Sequence, residues 1–169
     1  IFKTFDEDKI TYNDHTTSGG VHTPLLISID EVIDDKNLMW KLIDNCWIQE
    51  QWSAAINPKG AFFCEVAASL DYLFDGPGGW SIEKGWWKKT PEDFKDQVER
   101  YCKNCSGSLP MSAESDGFGG REKPTIDTVS PKMLEKLKKF GSPKINGKNY
   151  KIFERKYTKE DLKNHTKNW

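Results

Sequence analysis

Apolar and polar positions alternate in short blocks along the chain, and these blocks predict both strands and helices. Residues 25–29 form a brief apolar run, which predicts one buried strand. Over residues 35–45 the apolar side chains recur at helical spacing, which predicts a helix with Asp34 or Asp35 as its N-cap. The acidic stretch that contains both aspartates therefore favours a helix start, where carboxylates complement the helix dipole, over a catalytic pair.

Turn and capping residues divide the rest of the chain. Proline fixes φ and glycine tolerates positive φ, so Asn57-Pro-Lys-Gly60 between two apolar runs predicts a hairpin. Thr90-Pro91 followed by acids predicts the start of a helix. The predicted elements are a hairpin over 53–66, a helix over 67–74, a loop over 75–85, a helix over 90–101, a loop over 106–129, a helix over 130–141, the second strand of a hairpin at 150–153 and a helix from 158 onward. The pattern as a whole predicts a small α+β fold of β-hairpins with flanking helices.

Composition narrows the class of protein. The 169 residues amount to about one domain. The 25 basic and 26 acidic side chains give a net charge of −1, which argues against a nucleic-acid binder that works through a broad basic field. No apolar run is long enough to cross a membrane, and no secretory layout opens the chain, so we expect a cytoplasmic location. The start Ile-Phe-Lys-Thr leads us to expect a piece of a longer protein. Seven tryptophans and four cysteines indicate a small core with a staple.

The four cysteines are the strongest candidates for that staple. Cys46, Cys64, Cys102 and Cys105 follow the pattern C-x17-C-x37-C-x2-C. Four thiolates suit a tetrahedral zinc ion or a [4Fe–4S] cluster, and the residues alone leave these two open. Disulfides, buried thiols or a redox CxxC pair are the alternatives. A metal site is favoured over disulfides because the CxxC spacing rarely staples a fold and no secretory layout is visible.

Long contiguous motifs resemble the C-terminal region of radical SAM proteins. The similarity spans roughly residues 12 to 160. It is carried by Cys46-Trp-Ile-Gln-Glu-Gln-Trp-Ser, Ile56-Asn-Pro-Lys-Gly-Ala-Phe-Phe-Cys64-Glu-Val-Ala, Asp75-Gly-Pro-Gly-Gly-Trp80, Lys84-Gly-Trp-Trp87, Thr90-Pro-Glu-Asp-Phe94, Cys102-x-x-Cys105, Val129-Ser-Pro131 and Gly141-Ser-Pro143. In related enzymes a SPASM or twitch extension after the barrel holds an auxiliary [4Fe–4S] cluster. The resemblance implies that Cys46, Cys64, Cys102 and Cys105 are the ligands, although their spacing is not the usual one.

The CxxxCxxC motif that binds the SAM cluster is absent from these 169 residues. The resemblance therefore implies a module that is not catalytic on its own, whose partner is an upstream radical SAM barrel and which meets SAM only through that barrel. We divide the chain into an N-terminal loop, strand and helix (1–45), a cysteine-ligated metal-binding module (46–110) and a C-terminal helix-hairpin-helix extension (111–169). The substrate is not specified by the sequence. A zinc-stapled structural or interaction domain and a Trp-lined carbohydrate- or peptide-binding module are the alternatives.

Two further groups of residues, three tryptophans and two histidines, are candidates for a functional role. Trp80, Trp86 and Trp87 surround a Gly-rich loop, and we expect them to pack as a hydrophobic shell around the metal site. The alternative is a stacking platform for a sugar or a base. His15 and His22 fit no standard zinc spacing, so we interpret them as loop residues.

Overall fold

A computed structural model of the chain describes residues 3, 6–9, 25–46, 48, 54–90, 92–110, 127–146 and 150–157. The strands are β1 (Leu25–Leu26), β2 (Ala55–Asn57), β3 (Gly60–Phe62), β4 (Asp127–Val129) and β5 (Tyr150–Ile152). The α-helices are α1 (Ile29–Val32), α2 (Lys36–Asp44), α3 (Glu65–Leu73), α4 (Lys95–Tyr101), α5 (Pro131–Phe140) and α6 (Pro143–Asn146). Short 3-10 helices cover Glu7–Lys9, Trp86–Lys88 and Cys102–Asn104. The predicted mixed α+β class is confirmed.

The predicted hairpin around residue 58 is confirmed. Strands β2 and β3 pair antiparallel, with Asn57 opposite Gly60. The Asn57 side chain accepts a hydrogen bond from the Lys59 N–H at 2.8 Å, which closes the turn. Gly60 has a φ of +124°, a conformation that residues with a Cβ rarely adopt. The turn therefore depends on the asparagine and the glycine that frame it in the sequence.

The second predicted hairpin is wrong, because β5 belongs to a parallel sheet. That sheet has the order β1-β4-β5, and β4 pairs in parallel with both neighbours. Helices α5 and α6 lie between β4 and β5 in the chain, and a helical crossover returns the second strand in the same direction as the first. The first predicted strand is also shorter than expected, since it ends at Leu26 and α1 begins at Ile29.

Helix boundaries follow the capping residues in two of three cases. Asp35 caps α2 by accepting hydrogen bonds from the two backbone N–H groups that follow Lys36, at 3.0 and 3.1 Å. Helix α5 runs from Pro131 to a left-handed Gly141, as predicted. Helix α4 begins at Lys95 rather than near residue 90. The predicted helix from 158 onward lies outside the described residues.

Replacing Asp35 with alanine should lower the free energy of unfolding by about 1 kcal/mol, the usual cost of removing an aspartate N-cap. Urea denaturation followed by circular dichroism would measure this change. Asp34→Ala is the matched control, since the ion pair of Asp34 with Lys156, at 2.8 Å, is exposed. Equal effects of the two substitutions would show that Asp35 does not act as a cap.

One hydrophobic core runs through the described parts of the chain. Its largest fully buried side chains include Ile27 and Ile29 before the first cysteine, and Phe62, Phe94 and Tyr101 after it. Val129, Met133 and Ile145 from the last third join the same cluster. Among the helices that the structure describes, none is both long and apolar enough to cross a bilayer.

Candidate metal centre

Each of the four cysteines stands at the end of a helix. Cys46 follows the last turn of α2, and its N–H donates to the carbonyl of Ile43 at 3.0 Å. Cys64 is the N-cap of α3 and is 5% exposed. Cys102 ends α4, and the Cys105 N–H donates back to the Cys102 carbonyl at 3.1 Å. Three separate helix ends thus position the four thiols.

The Cys102–Asn104 turn also packs against the N-terminal part of the chain. It contacts both α1 and α2, so the CxxC segment lies beside the end of α2 that carries Cys46. The hydroxyl of Ser106 donates to the carbonyl of Leu25 in β1. This contact joins the loop after Cys105 to the parallel sheet. Packing between residues 25–46 and 102–106 therefore brings the chain near Cys46 to the CxxC segment.

All six pairs of the four thiols interact electrostatically. Burial raises the pKa of Cys102 far above its ordinary value, and Cys105, Cys46 and Cys64 raise it further. Burial also raises the pKa of Cys105 to about 12, with added contributions from Cys64 and Cys46. The pKa of Cys64 is raised by burial and by Cys46. Without a bound cation all three thiols are therefore protonated at neutral pH, and a cation would be needed to hold them as thiolates.

Gly107 lies close to the sulfurs of Cys46 and Cys105. A Cβ added at Gly107 would stand 3.4 Å from Cys105 Sγ, 3.8 Å from Cys46 Sγ and 3.9 Å from Ile48 Cδ1. The Gly107 N–H also donates to Cys105 Sγ at 3.2 Å. Both sulfurs therefore face a space that the missing side chain of glycine leaves open.

Backbone dipoles favour the charged form of two of the thiols. The Gly107 N–H lowers the pKa of Cys105, with a smaller contribution from Ser106. The N–H groups of Val66 and Ala67, in the first turn of α3, lower the pKa of Cys64, although neither forms a cap hydrogen bond of standard geometry. A helix N-terminus stabilises a thiolate in this way. Burial still outweighs these contributions in both cysteines.

The donor set fits a thiolate-bound metal centre in its chemistry. All four cysteines are free, so no disulfide uses the thiols. Soft thiolate ligands select zinc and iron–sulfur centres. Within the described ranges, however, no group of three or more His, Cys, Asp and Glu side chains is arranged to hold a single metal ion. The thiols are thus close enough to interact but are not gathered around one ion.

Trp80 and Trp87 do not form the predicted shell around the cysteines. Trp80 is 36% exposed and Trp87 is 54% exposed. Trp80 packs on Phe94, on the side of α4 that faces the Gly-rich loop. The apolar surroundings of the thiols come instead from the main core, which includes Cys64 and contacts the other three cysteines. His15 and His22 lie outside the described residues.

The structure also contains a buried ionic cluster that the sequence did not lead us to predict. The carboxylate of Asp71 is fully buried and forms an ion pair with Lys59. It accepts hydrogen bonds from the Tyr101 hydroxyl and from the Gly78 N–H, the latter at 3.0 Å. Lys59 also donates to the carbonyl of Gly76 at 2.7 Å. The cluster fastens the Gly-rich loop to α3 and α4.

This cluster controls the ionisation of Asp71. Burial alone would raise the pKa of Asp71, but the hydrogen bonds from Lys59, Tyr101 and Gly78 outweigh it and hold the pKa below its usual value. The carboxylate is therefore charged at neutral pH. The available sequence signal was a lone acid on the apolar face of α3, where Ala67, Ala68 and Leu70 are also buried.

No protein-family model matches this sequence, and no curated protein and no solved structure matches it at a significant level. The assignment of a function therefore rests on the residues and on the geometry of the cysteine site.

Proposed function

We propose that Cys46, Cys64, Cys102 and Cys105 together bind one [4Fe–4S] cluster, and that the chain is the auxiliary-cluster module of a radical SAM protein. The proposal of a metal centre rests mainly on one observation. The four thiols, which three helix ends position, lie close enough to interact with one another. Cys64 is buried and the other three cysteines are partly buried, and none of the four is in a disulfide.

The choice of a cluster over a single zinc ion rests on the resemblance to radical SAM proteins, since four thiolates suit either centre. Zinc binds thiolates at about 2.3 Å in a tetrahedron, which brings the sulfurs within roughly 4 Å of one another. In a [4Fe–4S] cluster each cysteine binds a different iron, so the sulfurs stand farther apart. A Cβ at Gly107 would lie 3.4 Å from Cys105 Sγ and 3.8 Å from Cys46 Sγ, so these two sulfurs approach a common point.

The surroundings of the thiols fit a redox-active centre. Hydrogen bonds to cluster sulfurs and exclusion of solvent are two means by which a protein tunes a cluster potential. The Gly107 N–H already donates to the Cys105 sulfur, and the core shields Cys64. When bound, the cluster would supply either electron transfer or a site for substrate binding.

The role within a radical SAM protein rests on the resemblance described above. Because all four cysteines belong to the proposed site, none is left in this chain to bind the SAM cluster. The proposed partner is an upstream radical SAM barrel, and SAM cleavage belongs to that barrel. We propose residues 46–110 as the metal-binding segment, between an N-terminal segment (1–45) and a C-terminal segment (111–169). The hairpin predicted in the last segment is replaced by the parallel sheet that β4 and β5 form with β1.

Metal analysis of protein produced without oxygen tests this proposal. Cells supplied with iron should yield brown protein with broad visible absorbance and about four iron atoms per chain, as a [4Fe–4S] cluster requires. The control is protein produced in air, where a four-thiolate pocket also accepts zinc. Colourless protein with one zinc per chain after anaerobic growth on iron would instead establish the zinc-stapled domain.

A further inference from the structure

A second concave site lies beside α4, and none of the four cysteines lines it. It is a groove of about 780 Å³ between residues 77–81, residues 83–89 and the exposed side of α4. Ligand pockets usually measure about 300–1,000 Å³, so the groove has room for a small molecule. The groove is independent of the proposed metal centre.

Trp80 forms a rigid wall of this groove. Its backbone exchanges two hydrogen bonds with Ala61, at 2.8 and 2.9 Å, which adds the Gly-rich loop to the hairpin. The indole N–H donates to Asp96 at 3.1 Å, and the ring packs on Phe94 with centroids 5.6 Å apart. Even so, 36% of the residue stays exposed. Lys89 lies over this ring, so a ligand ring would stack on Trp80 in the place of that lysine.

Hydrogen bonds to Asp71 and Lys59 fix the position of the Gly-rich loop. Gly78 and Gly79 adjoin Trp80, and their N–H groups donate to Asp71 and to the carbonyl of Lys59, at 3.0 and 2.8 Å. A Cβ at Gly79 would collide with the backbone of Ala61. The floor of the groove is therefore built before a ligand arrives, which lowers the entropy cost of binding.

Positively charged side chains outnumber negatively charged ones along the groove. Lys89 Nζ lies 4.0 Å from the centroid of the Trp80 ring. Lys84 and Lys88 also line the groove, and neither has an ion-pair partner within the described part of the chain.

Two of the three acids in the groove are already engaged. Asp93 accepts hydrogen bonds from the N–H and hydroxyl of Thr90. Asp96 accepts from the Trp80 indole and lies 3.6 Å from Arg100. Glu83 is the remaining acid in the groove. With Arg100 included, four basic side chains face three carboxylates, so the groove carries a formal charge of +1, which favours an anionic ligand.

We propose that this groove binds a phosphorylated ring compound, either a nucleotide or a sugar phosphate. The ring stacks on Trp80, and the phosphate contacts Lys84, Lys88 and Lys89. A phosphate ester carries roughly two negative charges at neutral pH, which favours its contact with these three lysines. A neutral sugar would have to displace Lys89 from the face of Trp80 without offering it a new partner, whereas a phosphate gives that lysine one.

Isothermal titration calorimetry on the 169-residue chain tests the proposal with four probes: uridine diphosphate, glucose 1-phosphate, inorganic phosphate and glucose. The proposal predicts that one or both of the phosphorylated ring compounds bind more tightly than inorganic phosphate, and that glucose binds more weakly still. Tighter binding of uridine diphosphate identifies a nucleotide site, and tighter binding of glucose 1-phosphate identifies a sugar-phosphate site. Absence of binding by both compounds, or binding of inorganic phosphate or glucose with equal affinity, overturns the proposal.

A charge reversal locates the site. Lys88→Glu should weaken binding of the preferred probe about tenfold or more, because it removes a charge-assisted contact and adds repulsion. Lys138→Glu is the matched control, since Lys138 is an exposed lysine on α5 away from the groove. Its effect should stay within about twofold, as expected for a screened distant charge. Equal weakening by both variants overturns the assignment to this groove. Both lysines are exposed, so both variants should fold.

Discussion

Replacing Cys102 with alanine should lower metal content and thermal stability together. A thiolate-bound structural metal contributes on the order of 10 kcal/mol to folding, and each kcal/mol shifts the melting temperature of a chain of this size by about 2–4 °C. Loss of even a third of that contribution would lower the melting temperature by roughly 10 °C. Calorimetry of the metal-loaded protein, with metal analysis of the same samples, measures both quantities.

Two controls separate the loss of the metal from the loss of thiol packing. After the metal is removed with a chelator, the wild type and Cys102→Ala should melt within a few degrees of each other, because the metal-free thiol acts only as a small apolar group. His15→Ala should change neither metal content nor melting temperature. A Cys102→Ala protein that keeps its full metal content would remove Cys102 from the site.

Replacing Asp71 with asparagine should destabilise the protein by about 3 kcal/mol, since removing one partner of a buried ion pair leaves the other uncompensated. Lys59, Tyr101 and Gly78 would all lose the carboxylate that they now contact. Urea denaturation at neutral pH measures the change. Asp75→Asn is the matched control, because the ion pair of Asp75 with Lys139 is exposed and should contribute less than about 1 kcal/mol.

The pH dependence of the same variant tests the charge itself. The pKa of Asp71 in the folded protein lies below its ordinary value of 3.8, so its charged form stabilises the fold above about pH 4. That stabilisation is lost as the pH falls through the folded pKa. The difference in free energy of unfolding between the wild type and Asp71→Asn should therefore shrink in acid. A constant difference down to about pH 2 would show that shape, rather than charge, explains the loss.

Capping and turn residues in the sequence predicted the helices and the hairpin that lie next to them. The cap at Asp35, the Pro131 start and Gly141 stop of α5, and the turn before Gly60 are local signals. The sequence around them is therefore sufficient to place α2, α5 and the β2–β3 hairpin. The direction of β5 could not be predicted in this way. It depends on α5 and α6 crossing over before β5 pairs with β4, and a three-residue strand carries no signal that names its partner.

At the site, too, patterns in the sequence predicted some features, whereas contacts between residues far apart in the chain were not predicted. The number and spacing of the cysteines indicated a shared centre, and the helix ends bring the thiols near one another. The tryptophans were assigned to the wrong surface, because aromatic content alone does not say which face of α4 a ring will cover. The partners of Asp71 lie 12 and 30 residues away, at Lys59 and Tyr101, so the cluster depends on tertiary packing.

The most direct test of one shared centre is the iron content of the Cys46→Ser and Cys64→Ser variants, produced without oxygen and compared with Cys102→Ser. Cys46 and Cys64 are the two cysteines farthest in sequence from the CxxC pair, so their participation requires the tertiary convergence. We predict that all three substitutions lower iron per chain to a similar extent. Wild-type iron content in either Cys46→Ser or Cys64→Ser would contradict a centre built from all four cysteines.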